Sequence, residues 1–178
     1  MVHVDDCSIV ASSLPLIDHF KRMIKRQAEI TDLGELHWIL GVEVKHVREN
    51  KQLLLSQHSY IDSILRRYGL DDLKPISTPM DPNVKLTSAQ SPTTMEDIAV
   101  MRNTPYHEAV GSLMYASLGT RLDISFAVQT VSHFATNPGL AHWEAVKRVF
   151  RYLKGTKELW LSFGGRKVDL EGYADAEA

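Results

Sequence analysis

Two adjacent carboxylates, Asp5 and Asp6, lie between short apolar runs, Val2-His3-Val4 on one side and Ile9-Val10 on the other. Alternation, a break and a return of apolar character read as a strand, a tight turn and a second strand. Such a hairpin holds two acids at its tip, where hard oxygen ligands can grip divalent cations. Two magnesium ions held there could clamp an in-line phosphoryl transfer. Asp is also an ordinary turn residue. Alone, the dipeptide reads as a polar turn, and Asp71-Asp72 is a second such pair inside what reads as a loop.

Other candidate chemistry is thinner. Lys147, Arg151 and Lys154 recur at helical spacing with Arg148 beside them. That row could track a phosphate backbone, and a solvated helix face has the same pattern. Asp175 stands at the end of a strand-like run, where a carboxylate could serve a metal. The single Cys7 excludes an internal disulfide and a Cys-rich zinc module. The eight His residues show no ligand spacing, and Gly164-Gly165 lacks the lysine of a phosphate loop. Nothing local supports a Ser/His/Asp triad.

The elements that must position these residues fit 178 residues of ordinary composition, 44% apolar and 24% charged. A net charge of −2 excludes a general polycation, so a nucleic-acid surface must be local. No apolar run reaches membrane-span length and no secretory leader is read, so an intracellular protein without a membrane partner is expected. The chain opens inside a strand and stops just after another, which reads as a fragment.

An α+β order of elements is expected. After the hairpin, Ser12 or Ser13 caps a helix over 14–28. Strand-like pieces at 36–40, 42–47 and 52–55 form a small antiparallel sheet with a glycine bend at Gly41. Ser56 caps a helix over 57–68, stopped by Gly69. Residues 70–103, rich in Pro, Ser and Thr, read as an extended linker. Helices follow at 105–118, from about 120 to 135, and at 140–154. Thr104 is the expected cap of the first, and Thr120-Arg121-Leu122-Asp123 the expected capping box of the second. Strands at 159–163 and 170–174 close the chain.

These residues resemble the copia-type retrotransposon polyprotein, across the C-terminal part of reverse transcriptase and the start of ribonuclease H. Val4-Asp5-Asp6 is similar to the family's Tyr-Val-Asp-Asp turn. Asp32-Leu33-Gly34-Glu35-Leu36 and Leu40-Gly41-Val42-Glu43-Val44 are similar to two of its segments. Ser77-Thr78-Pro79-Met80, Val110-Gly111-Ser112-Leu113-Met114-Tyr115, Gly119-Thr120-Arg121, His142-Trp143 and Arg151-Tyr152-Leu153-Lys154-Gly155-Thr156 follow in family order. Gly172-Tyr173-Ala174-Asp175-Ala176 resembles its opening ribonuclease H strand.

The resemblance implies a partial polymerase palm hairpin, a small antiparallel sheet, a thumb helix, a helical connection and a terminal ribonuclease H-like β-hairpin stub. The implied divisions are 1–69 for palm and thumb, 70–103 for the linker, 104–157 for the connection and 158–178 for the ribonuclease H start. Asp5 and Asp6 would hold Mg2+ at the polymerase turn of the intact parent, and Asp175 would be the first metal carboxylate of ribonuclease H. His3 stands where the family usually has Tyr, beside the primer terminus. The Leu40-Gly41 bend would be the primer grip, and Lys147, Arg151 and Lys154 would lie near the hybrid duplex. The implied partners are an RNA template/DNA primer hybrid and the remaining polymerase fingers and palm. A further catalytic Asp and the fingers are absent, so the chain alone is expected to be inactive. The alternative is a non-enzymatic nucleic-acid-binding remnant or a non-functional relic.

Overall fold

Val2–His3 (β1) and Asp6–Cys7 (β2) pair antiparallel, with Val2 opposite Cys7 and His3 opposite Asp6. The computed structural model describes residues 2–165, the side chain of His3 excepted. The second terminal strand, expected at 170–174, and Asp175 lie outside the described residues. The chain divides between His37 and Trp38 into two compact units.

The first unit adds one helix, Leu14–Lys25 (α1), to the β1–β2 hairpin. Pro15 sits in its first turn, where the missing N–H costs nothing. Its apolar residues fall on one face, yet none is buried: Leu14, Leu16, Phe20 and Met23 are all exposed.

The second unit opens with an antiparallel sheet. Trp38–Ile39 (β3) pairs with Val42–Val47 (β4), and β4 with Gln52–Ser56 (β5). A short helical turn at Arg48–Asn50 joins β4 to β5 and closes on Lys51 in the left-handed region. The expected first strand at 36–40 shrinks to two residues, because the bend at Leu40-Gly41 consumes its end. Leu161–Gly164 (β6) then returns from the far end of the chain and pairs with β5, placing Leu161 opposite Leu55 and Phe163 opposite Leu53. The sheet order is β3-β4-β5-β6.

Five helices follow β5 among the described residues: His58–Arg67 (α2), Met95–Arg102 (α3), Tyr106–Gly119 (α4), Ser125–Ser132 (α5) and Leu140–Thr156 (α6). Their facing stripes make the core. Ile61, Ile64 and Leu65 of α2 meet Ala109, Val110, Leu113 and Ala116 of α4, Ala127, Val128 and Val131 of α5, and Val146, Val149, Phe150 and Leu153 of α6. Each fully buried branched or aromatic side chain contributes roughly 1.5–3 kcal/mol. Tyr106, also fully buried, donates its hydroxyl to the Val131 carbonyl at 2.8 Å. Burial pushes its ionisation up to about 12.

Several caps differ from expectation. Gln57, not Ser56, takes the cap position of α2, although the Ser56 hydroxyl still accepts the His58 amide at 3.2 Å. Pro105 precedes α4, while Thr104 turns back to donate to the Val100 carbonyl. The capping box at 120–123 does not form. Thr120 donates to the buried Gln57 amide oxygen, and Asp123 is occupied by Arg121. Leu122–Ile124 make a short helical turn instead. On α4, Met114 is exposed and Tyr106, Ala109 and Ala116 carry the core face with Val110 and Leu113.

The linker at 70–103 is more ordered than its composition suggests. It contains a short helical turn at Ser88–Gln90 and all of α3. Thr94 caps α3 by accepting the Asp97 amide at 3.1 Å, a Thr-x-x-Asp pattern legible in the sequence.

Candidate active site and nucleic-acid interface

Val4 and Asp5 form the two-residue turn between β1 and β2. Val4 has φ +51°, a left-handed conformation that a β-branched residue adopts only under constraint. The loop is too short for any other path, since His3 and Asp6 are already paired. Asp5 therefore sits in the turn and Asp6 on the first residue of the returning strand, both exposed. Their carboxylates supply hard oxygen donors of the kind magnesium takes. Among the described residues no group of three His, Cys, Asp or Glu side chains gathers into a metal cluster. Among those residues Asp5 and Asp6 offer two carboxylates without a third such ligand beside them.

The Asp32-Leu33-Gly34 segment is a local lock. The Asp32 carboxylate accepts the Gly34 amide at 3.1 Å and the Lys21 ammonium at 2.8 Å. Those two bonds hold its pKa below the ordinary carboxylate value, Lys21 first. Gly34 is at φ +81°, a position that glycine fills without a Cβ clash.

The bend between β3 and β4 is a two-residue turn with both central residues left-handed, Leu40 at φ +51° and Gly41 at φ +72°. That geometry matches the twist of a hairpin and suits Gly41. For Leu40 it costs roughly 1–2 kcal/mol. The turn is held from outside: Tyr115 of α4 donates its hydroxyl to the Leu40 carbonyl. At the other end of β4, His46, Arg48 and Lys51 join Gln52, Leu53 and Phe163 around an open groove of about 480 Å³.

The cationic row on α6 faces the chain's own linker. Lys154 donates to the carbonyls of Asp71 and Leu73, the latter at 3.0 Å. Arg151 donates to the Lys74 carbonyl at 2.7 Å. Arg148 reaches Thr78 at 2.9 Å and Asp81 at 3.3 Å, and Lys147 pairs with Glu144. Arg148, Arg151 and Lys154 bind residues 71–81 as a strap along α6, with Leu70, Leu73, Met80 and Leu86 packed on the core beneath.

A reverse transcriptase (RNA-dependent DNA polymerase) family profile matches residues 1–82. The chain is 44% identical, over 99% of its length, to a retrovirus-related Pol polyprotein from transposon TNT 1-94 of Nicotiana tabacum, of which it covers 13%. It is 37% identical, again over 99% of its length, to the Pol polyprotein from transposon RE1 of Arabidopsis thaliana, of which it covers 12%. The matches support a copia-type retrotransposon reverse transcriptase fragment. It is a reverse transcriptase-like segment, spanning about an eighth of the length of these polyproteins. A putative transposon Ty5-1 protein of Saccharomyces cerevisiae is 31% identical over 98% of the chain, which covers 55% of it. No solved structure matches.

Within this copia-type segment, the motif Gly119-Thr120-Arg121 has a structural meaning that its spacing did not reveal. A Cβ at Gly119 would lie 2.5 Å from the Gln57 amide oxygen. Arg121, only 2% exposed, binds Asp123 and the Thr156 carbonyl and hydroxyl, and its guanidinium lies 5.6 Å from the centre of the Tyr152 ring. Burial pushes the Asp123 carboxyl up, but hydrogen bonds from Arg121 and Tyr152 outweigh it and hold the group below its ordinary value. His142-Trp143 likewise builds a cap, with the His142 ring accepting the Gly139 amide at 2.8 Å. Tyr115 and the groove at His46, Arg48 and Lys51 were missed in the sequence because their partners lie far along the chain. His58 stands 3.2 Å from Glu43 and 3.1 Å from the Ser59 hydroxyl, a polar row open to solvent.

Proposed function

We propose that the chain is the palm-hairpin, primer-grip and thumb part of an RNA-directed DNA polymerase, with the start of ribonuclease H at its end. The observation that carries this reading is the tight, constrained hairpin presenting Asp5 and Asp6, inside a segment that follows Pol polyproteins over almost its whole length. Asp5 and Asp6 are the residues that would hold magnesium, which when bound supplies charge stabilisation to an in-line phosphoryl transfer. The Leu40-Gly41 turn would bear on the primer, beside α2 as a thumb helix. Asp175 would serve the ribonuclease H metal site. An RNA template/DNA primer hybrid is the substrate complex of the intact parent.

With no third such ligand beside Asp5 and Asp6 among the described residues, the chain alone is inactive in this reading. The binding-remnant alternative rested on the α6 row, whose cations are engaged by residues 71–81 and Glu144. Primer extension on an RNA template with magnesium tests the proposal. The chain alone should extend nothing, and a parent polymerase that carries fingers and a further catalytic Asp should lose extension on Asp5→Ala or Asp6→Ala. Synthesis by the chain alone that vanishes in Asp5→Ala refutes the inactivity. A parent indifferent to both substitutions refutes the polymerase assignment of the turn.

A further inference from the structure

We infer that Tyr115 is a positioning residue that sets the conformation of the Leu40-Gly41 turn from the helical core. Its hydroxyl donates to the Leu40 carbonyl, across 75 residues of sequence. The hydroxyl also stands where a Cβ on Gly41 would be 3.9 Å away, so it covers both residues of the turn. Leu40 is the residue that most needs this hold, being a non-glycine at φ +51°. The Tyr115 ring is itself fixed. It meets Tyr60 of α2 edge-on at 4.9 Å between centroids. Tyr60 donates its hydroxyl to the Ser112 carbonyl at 3.0 Å, and Tyr68 is 2.9 Å from the Ser112 hydroxyl.

A chain of aromatic and hydroxyl contacts thus runs from the α2–α4 pair to the tip of the β3–β4 hairpin. Tyr115 is 42% exposed and Leu40 43%, so little apolar burial holds the tip and the single hydrogen bond has a large share in fixing it. The consequence for function rests on the primer-grip reading: the turn would meet the hybrid in the geometry that Tyr115 sets. Tyr115 touches no reacting atom and acts through the Leu40 carbonyl.

Tyr115→Phe removes the hydroxyl and keeps the ring on Tyr60. Hydrogen exchange on the full chain should show the Val42 amide, on the strand residue paired with Ile39, opening roughly 2- to 12-fold faster, the factor expected for one lost hydrogen bond. The Leu53 to Leu55 amides should change less than the turn, and the unfolding midpoint should fall by no more than that one hydrogen bond accounts for. Binding of a short RNA–DNA hybrid with a recessed DNA 3′ end, read by fluorescence anisotropy, should weaken by a similar factor. Unchanged exchange at the turn overturns the inference, as does faster exchange spread evenly over the sheet. A loosened turn with unaltered hybrid binding overturns its functional half. The primer-grip reading is judged separately on the unsubstituted chain: if the hybrid leaves the Leu40 to Val42 amides unprotected, that reading fails, while exchange of the free variant still decides what Tyr115 does.

Discussion

The guanidinium of Arg121 meets the carboxylate of Asp123 through two hydrogen bonds, Nε to Oδ1 at 3.0 Å and Nη2 to Oδ2 at 2.7 Å. The same group reaches the Thr156 carbonyl at 3.1 Å and its hydroxyl at 2.6 Å. Arg121 therefore ties the loop after α4 to the end of α6. The planar fork is what fits, since an ammonium lacks the parallel pair of N–H groups that meets both oxygens of one carboxylate. Arg121→Met should cost about 2–3 kcal/mol. The range allows for Asp123, which keeps 36% of its side chain in water. Arg121→Lys should recover less than half of that. Urea unfolding measures both, and a loss below about 1 kcal/mol for Arg121→Met would show that the network adds little to stability.

His142 gives a pH signature. Its ring accepts the Gly139 amide on Nδ1, so the remaining proton sits on Nε2 and points to the Thr87 carbonyl at 3.1 Å. The ring is fully buried and stacked on Phe134 at 4.0 Å. Burial pulls its pKa below the ordinary value, with partial compensation from the Thr87 carbonyl. The folded state thus binds the proton less readily than the unfolded chain. The stabilisation is fully present above the unfolded pKa of about 6.5 and is lost as pH falls through the lowered folded value. The stability difference between wild type and His142→Gln should be largest above pH 7 and shrink in acid. Parallel stability curves for the two proteins would contradict this.

Two glycines should respond in opposite directions. A Cβ at Gly139 would lie 1.9 Å from the Gln90 carbonyl oxygen, a backbone atom that cannot swing aside. Gly139→Ala should therefore destabilise by about 1–3 kcal/mol. Gly111 lies inside α4, and a methyl group there would meet nothing within 4 Å. Gly111→Ala should stabilise by about 0.5–1 kcal/mol through helix propensity and a less flexible unfolded chain. Thermal unfolding of the pair separates packing from backbone entropy.

The strap over α6 should open when its charged anchor is removed. Arg148 holds Thr78 and Asp81, and its Nε is buried. Arg148→Ala leaves the apolar anchors Leu70 and Met80 in place, so the fold should persist. Tryptic cleavage after Lys85 should rise about fivefold, the population change expected for roughly 1 kcal/mol. An unchanged cleavage rate would show that apolar packing alone holds the strap.

Much of the helical content was legible because each helix carries its own period. Ile61, Ile64 and Leu65, or Val146, Phe150 and Leu153, lie one turn apart and need no partner to be recognised. The Asp5-Asp6 hairpin was legible for the same reason, since strand, turn and strand fall within a few residues. The caps were less so. Thr120 and Asp123 have the right spacing for a capping box, but a buried arginine competes for Asp123 and a buried amide for Thr120. Helical spacing likewise placed Lys147, Arg151 and Lys154 together, without showing that residues 71–81 lie against that face.

The order of motifs, from Val4-Asp5-Asp6 to the Arg151–Thr156 run, made the copia-type resemblance legible by itself, because identity and order are properties of the chain as written. Local turns followed too, because two residues between paired positions leave few backbone paths. Only the tertiary structure decided that Leu161–Gly164 pairs with Gln52–Ser56, that Tyr115 holds Leu40, and that the α6 cations bind carbonyls of the linker. Those partners are separated by scores of residues, and backbone carbonyls carry no residue identity that a sequence could display. Which donor meets which acceptor is settled when the core brings them within hydrogen-bond distance.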